Sequence, residues 1–166
     1  MSMKRFQAYG AGMALVALVA AAALSGCKPE INGELGEPFD KVAGMSGTWE
    51  LSAFTQQDLN SPVKEIRDLS AFYVDGTSTP LQLTFAPDGT YSVAIEIGKN
   101  YFGEGGTWAF DDPAYPSFLE LYSTDTLMYN LGSMVRPFDT ELNIEYRRDC
   151  GGSTTVVYTF SFTRLN

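Results

Sequence analysis

Histidine is absent from the 166 residues, and cysteine occurs only at Cys27 and Cys150. Without an imidazole, the Ser-His-Asp triad, Cys-His pairs and histidine-bearing zinc sites are excluded. Two cysteines are too few for a thiolate metal cluster. No Walker-type phosphate loop and no dinucleotide fingerprint is present, and Gly103, Gly105 and Gly106 read as turn and strand-start residues. No cofactor or metal is therefore expected. Positive charge is scarce too, with 11 Lys and Arg against 20 Asp and Glu and a formal net charge of −9. So acidic a chain without a basic patch repels phosphate backbones, and no nucleic-acid partner is expected. Long apolar runs are also missing. Residues 13–24 are free of polar side chains, but a membrane-spanning helix needs roughly 18 or more such residues.

That short run belongs to an N-terminal pattern. Lys4 and Arg5 precede it, no charge follows until Lys28, and the run closes on Leu24, Ser25, Gly26, Cys27. A positive start, an apolar core of this length and small residues at its end make a secretory signal peptide. The last four residues resemble the lipobox of bacterial lipoproteins. The resemblance implies that Cys27 is lipidated on sulfur, that the chain is cut before it, and that the new amine is acylated. Residues 1–26 are then a signal peptide, 27–45 a lipidated cysteine with a flexible tether, and 46–166 the folded domain. The partner implied is a membrane, reached through the lipid, because two or three acyl chains hold where one binds only marginally. Cleavage removes Lys4 and Arg5, leaving nine bases against 20 acids, a balance of −11. Anionic head groups repel such a chain, so the lipid holds it without electrostatic help. Lys28 stands where an Asp keeps some lipoproteins at the inner membrane, so an outer-membrane position, facing the periplasm or the cell surface, is expected. Lys28, Pro29, Glu30 also resembles the Lys-and-acid pattern of surface-exposed lipoproteins of Bacteroidetes. With Cys27 acylated, Cys150 is the last thiol and no disulfide forms within the chain. It follows Arg147 and Arg148 and reads as a small residue at a hairpin end.

Pro29, Asn32, Gly33, Gly36 and Pro38 make the tether, with Phe39 and Val42 near enough to touch the domain. The remaining residues, about 120, suffice for one core. Leu81, Leu83 and Phe85 alternate with Gln82 and Thr84; Pro87, Asp88 and Gly89 turn the chain; Tyr91, Val93, Ile95 and Ile97 alternate again. Period two around a turn is a β-hairpin. A second hairpin runs from Leu142, Ile144 and Tyr146 through Cys150, Gly151, Gly152 and Ser153 to Val156, Tyr158, Phe160 and Phe162. Residues 48–55, 106–110, 117–123 and 126–135 complete about eight short strands, an all-β sandwich or barrel. Ser61 and Pro62 suit a helix start, and Val63, Ile66, Leu69, Phe72 and Tyr73 recur roughly at helical spacing, predicting a short helix in the first long connection.

Gly47, Thr48, Trp49 opening the first strand, the Pro87 to Tyr91 hairpin, the Gly106, Thr107, Trp108 strand and the closing strand with Arg164 together resemble the lipocalin-like lipoproteins common in Bacteroidetes. The resemblance spans about residues 44–166. It implies an eight-stranded antiparallel up-and-down barrel in which Trp49 plugs the closed end and Arg164 lies across its indole. The central lipocalin motifs and the disulfides of many lipocalins are absent here. Eight strands enclose an interior that is either filled by side chains or holds one small ligand.

Glu96 and Glu145 fall on the polar phase of their strands, so the facing carboxylates of a glycosidase are not in evidence from spacing. Asp111, Asp112 and Asp125 lack the alternating spacing of a calcium loop and read as a solvated turn. The chain reads as a non-enzymatic envelope lipoprotein. The ligand expected is small and hydrophobic or amphipathic, held by Leu83, Tyr91, Val93, Ile144, Tyr146, Tyr158 and Phe160. Ile66, Leu69, Phe72 and Tyr73 form its lid or a fixed plug. The alternative is a protein- or glycan-interaction scaffold around a solid core.

Overall fold

The computed structural model describes residues 39–133 and 135–165. The expected signal peptide, Cys27 and the tether as far as Pro38 lie outside the described residues.

Alternation sets the architecture. In β3 (Gln82–Phe85), Leu83 and Phe85 are buried between half-exposed Gln82 and Thr84. Leu119 and Leu121 do the same in β6 (Phe118–Tyr122), Leu142 and Ile144 in β8 (Glu141–Cys150), and Phe160 and Phe162 in β9 (Ser153–Leu165). A strand with one apolar face must turn that face onto a core. Here the sheet does so by curling on itself. From β1 (Gly47–Asp58) the hydrogen-bonded order runs through β3, β4 (Thr90–Ala94), β5 (Gly106–Phe110), β6, β7 (Thr126–Leu131), β8 and β9. β9 then pairs antiparallel with β1 from Thr48↔Leu165 to Asp58↔Val156 and closes the ring. The fold is all-β, an eight-stranded antiparallel up-and-down barrel of lipocalin-like form. One extra strand, β2 (Ile66–Asp68), pairs with the far part of β1 at Thr55, Gln56 and Gln57. Its short length and its charged Arg67 and Asp68 keep that edge from templating further strands.

Local chemistry explains the turns. The Asp88 carboxylate accepts hydrogen bonds from the Thr90 backbone N–H (3.0 Å) and hydroxyl (2.7 Å), holding the β3–β4 hairpin. A β-bulge in β1 between Leu51 and Ala53 shifts the register against β9. Before it, Trp49 and Leu51 face the core; after it, Phe54 is the buried residue. An inserted residue switches which alternate side chains face inward.

Three segments differ from the sequence reading. The first long connection holds only one short helical turn, Ser70–Phe72, preceded by β2. Lys64 adopts a left-handed conformation with φ of 50°, which stops any helix begun at Ser61. The strand expected through Ile97 ends at Ala94, and β4 pairs with β5 only at Thr90↔Thr107 and Tyr91↔Gly106. Beyond Ala94 the chain leaves the sheet and folds across the barrel end. Finally, residues 41–45, assigned to the tether, form helix α1 (Lys41–Met45), capped by the Asp40 carboxylate on the Ala43 N–H at 3.0 Å. Burial of Met45 in the core docks this helix.

Candidate functional site at the barrel mouth

The two ends of the barrel are built differently. At the closed end the fully buried Trp49 donates its indole N–H to the Met45 carbonyl at 2.8 Å. The Arg164 guanidinium lies 4.5 Å from the centre of the Trp49 ring and donates to the carbonyls of Gly44 and, at 3.3 Å, Pro137. A Cβ on Gly44 would stand 2.6 Å from the Val135 carbonyl oxygen, so only glycine lets α1 come this close.

Aromatic side chains fill the middle. Phe54 stacks on Phe160 with ring centres 4.6 Å apart, and Phe102 packs 4.9 Å from Phe160 and 5.1 Å from Tyr129. Phe102 comes from the β4–β5 connection, which the barrel holds by its own hydroxyls. Tyr91 donates to the Phe102 carbonyl at 2.8 Å, and Tyr129 donates to the Tyr101 carbonyl. Asn100 braces the same loop, donating to the Gly103 carbonyl at 2.7 Å and accepting from the Phe102 N–H at 2.9 Å. Burial raises the Tyr129 phenol well above its ordinary pKa, with Tyr146 and Tyr91 adding to the effect.

The residues expected to bind ligand separate into two layers. Leu83, Ile144 and Phe160 have no exposed surface and Tyr91 almost none, so these four are core. Val93, Tyr146 and Tyr158 are partly exposed above them. The four lid residues separate as well. Tyr73 is 1% exposed, packs edge-on against Phe54 at 5.1 Å and donates to the Lys99 carbonyl at 2.6 Å. Its phenol is pushed up to about 12, first by burial and then by Tyr101. Gly98, at φ of 89°, makes room, because a Cβ there would lie 2.6 Å from the Tyr73 ring. Leu69 packs against the core, whereas Ile66 and Phe72 are 63% and 64% exposed. Tyr73 is therefore a plug, while Ile66 and Phe72 stay mostly in solvent.

Above the filled interior, Tyr101, Tyr146 and Tyr158 cluster at ring-centre separations of 5.7 to 6.2 Å. Among the described residues their hydroxyls have no hydrogen-bond partner and none is a buried unsatisfied atom, so the phenols reach solvent. Burial raises the Tyr101 phenol, followed by Tyr158 and Tyr146, while Arg148 opposes the shift. Lys99 covers one face of Tyr101, its ammonium 4.7 Å from the ring centre. Cross-strand register extends the cluster sideways. Tyr146 opposes Tyr158, Tyr158 opposes Gln56, and Gln56 opposes Arg67. Residues directly opposite each other on antiparallel strands share a face. One row across four strands thus carries Tyr146, Tyr158, Gln56 and Arg67, and the next carries Arg148, Val156 and Asp58. A groove of about 260 Å³ lies here, lined by Gln56, Asp58, Ser61, Glu65 and Arg67.

Tyr101, Phe102, Gln56, Asp58 and Arg67 were absent from the sequence-derived site. An adjacent aromatic pair inside a glycine-rich loop was the available signal for the first two. Carboxylates elsewhere are engaged locally. Glu96 accepts from the Thr79 N–H at 3.1 Å, Glu145 pairs with Arg147 at 2.9 Å, and Tyr122 donates to Glu120. Asp111 accepts from Ser117 and Phe118, Asp112 from Ala114 and Tyr115, all backbone N–H groups within 3.1 Å. Among the described residues, no three acidic or cysteine side chains are grouped to hold a metal ion. Cys150 is exposed at the β8–β9 turn.

No curated protein matches the chain. A family model described as a domain of unknown function, DUF5004, matches residues 29–163 and so takes in the whole barrel except its final residues. The chain belongs to that family.

Proposed function

We propose that the protein is a non-enzymatic, lipid-anchored lipoprotein of the bacterial outer membrane that binds a small amphipathic ligand at the barrel mouth. The observation that carries the reading is the tyrosine cluster: three half-buried rings whose hydroxyls reach water directly above a packed interior. Rings that are apolar on their faces and wet at their tips suit a ligand with the same division. The anchor rests on Lys4, Arg5, the apolar run and the lipobox ending in Cys27.

An amphipathic fluorescent dye, titrated into the detergent-solubilised protein, tests the site. Replacing Tyr146 and Tyr158 with Ala should weaken binding by at least about tenfold, or about 1.4 kcal/mol, with the strand signal in circular dichroism retained. Unaltered affinity in both variants would remove the mouth from the proposal. One observation favours a second reading, an interaction scaffold: Leu83, Ile144 and Phe160 beneath the mouth have no accessible surface. Under that reading no dye binds.

A further inference from the structure

We infer that the ligand taken at the mouth is a saccharide, a sugar ring stacked on Tyr146 and Tyr158 with its hydroxyl groups hydrogen-bonded in the adjoining polar groove. The inference rests on the ligand-binding reading above and names the class of ligand.

Depth decides against an acyl chain. Phe54, Tyr73, Phe102 and Phe160 occupy the space into which an alkyl tail would descend, and all four are buried. What remains accessible is shallow. Tyr146 and Tyr158 lie on neighbouring strands β8 and β9, stacked with ring centres 6.2 Å apart and planes inclined by 29°, and the half-exposed part of each ring gives the mouth its apolar surface. A pyranose carries C–H bonds on its faces and hydroxyls around its edge. It therefore needs one apolar plane bordered by both donors and acceptors.

The groove beside these rings supplies that border. Gln56 offers an amide with both functions, Ser61 a hydroxyl, Asp58 and Glu65 acceptors, and Arg67 five donors. Among the described residues, the side chains of Gln56, Ser61, Glu65 and Arg67 make no hydrogen bond; the Asp58 carboxylate accepts one, from the Asn60 N–H at 2.9 Å. These groups hold capacity in reserve. The charges around the mouth are of both signs, with Asp58 and Glu65 facing Arg67, Arg148 and Lys99. A phosphate or sulfate ester would call for cations of one sign, whereas a neutral polyol uses donors and acceptors alike. At about 260 Å³ the groove is smaller than drug-sized pockets, which begin near 300 Å³, and admits one or two rings of an oligosaccharide.

The test uses the full-length protein in detergent and isothermal titration with neutral oligosaccharides: maltohexaose, cellohexaose, xylohexaose, laminarihexaose and chitohexaose. At least one should bind, with an affinity unchanged between low and high salt, as for an uncharged ligand. Tyr146→Ala and Tyr158→Ala should each weaken it by about tenfold or more. Gln56→Ala and Arg67→Ala, at exposed or half-exposed positions where the fold is not at risk, should weaken it by roughly two- to tenfold, as for single hydrogen bonds. A dye displaced by none of the sugars, yet lost on Tyr146→Ala, would overturn the saccharide inference and leave the mouth as the site. Binding of neither dye nor sugar would overturn both. Sugar binding unaffected by all four substitutions would place the saccharide elsewhere and overturn the inference too.

Discussion

Trp49 and Arg164 are register partners across the seam where β9 meets β1, and the guanidinium of one lies 4.5 Å over the indole of the other. The same guanidinium donates to carbonyls before β1 and before β8, at Gly44 and Pro137, so one side chain ties three segments to the plug. Truncating so large a buried residue costs about 3 to 5 kcal/mol, and Trp49→Ala should lose that much in urea unfolding. Arg164→Ala should lose less. The double mutant should recover a coupling of about 0.5 to 2 kcal/mol, the worth of a cation–π contact; strict additivity would mean the stacking carries no energy.

The segment before β3 divides into a plug, Tyr73, and an exposed exterior that carries Ile66 and Phe72. Tyr73→Ala removes a buried ring and its hydrogen bond to Lys99, and should cost about 3 kcal/mol or more. Ile66→Ser and Phe72→Ser, at exposed positions, should stay within about 0.5 kcal/mol of the parent. Equal losses at all three would show the whole segment sealing the barrel.

Alkaline pH should unfold the barrel before it denatures an average protein of this size. Tyr73 titrates near 12 in the folded state against 10.0 when unfolded, and Tyr129, Tyr101 and Tyr91 are shifted in the same direction by burial. Between those values the unfolded chain has released protons that the folded chain keeps. Stability is therefore whole below pH about 10 and falls as pH rises towards 12. Absorbance near 295 nm, followed alongside circular dichroism, should show these phenols ionising only as the fold is lost. Ionisation of Tyr73, Tyr91, Tyr101 and Tyr129 together with the exposed tyrosines in a single step near 10, with the fold intact, would contradict the buried assignments.

Cys27→Ser should leave an uncut precursor that takes up no labelled palmitate. The expectation stands on Leu24, Ser25 and Gly26 before Cys27 at the end of a short apolar run. Label incorporated at the size of the processed chain would refute the lipid anchor.

Much of the barrel was legible from local pattern. Leu83, Phe85, Ile144, Phe160 and Phe162 recur at period two, and a chain with that period has one apolar face per strand whatever its partners. Pro87 to Gly89 and Cys150 to Ser153 marked hairpins because turns depend on a few adjacent residues. The helix expected over Ser61 to Tyr73 is confined to the turn Ser70–Phe72, for a local reason as well. Its spacing is approximate, Lys64 takes a left-handed conformation, and Val63, Ile66 and Phe72 are mostly exposed.

Composition and local order determined the absence of imidazole chemistry, the acidic balance, the signal-like start and the strands with their apolar faces, since none of these depends on what lies across space. Tertiary structure alone decided what the barrel does with its interior. The bulge between Leu51 and Ala53 placed Gln56 and Asp58 in the same cross-strand rows as Tyr158 and Arg148, a change of phase visible only once β1 is paired. The Tyr101–Phe102 loop is held in the cavity by Tyr91 from the strand before it and by Tyr129 from β7, which donate to its carbonyls. Filling the centre and leaving three tyrosines at the rim is a matter of volume and register between strands, and neither is written in any single one of them.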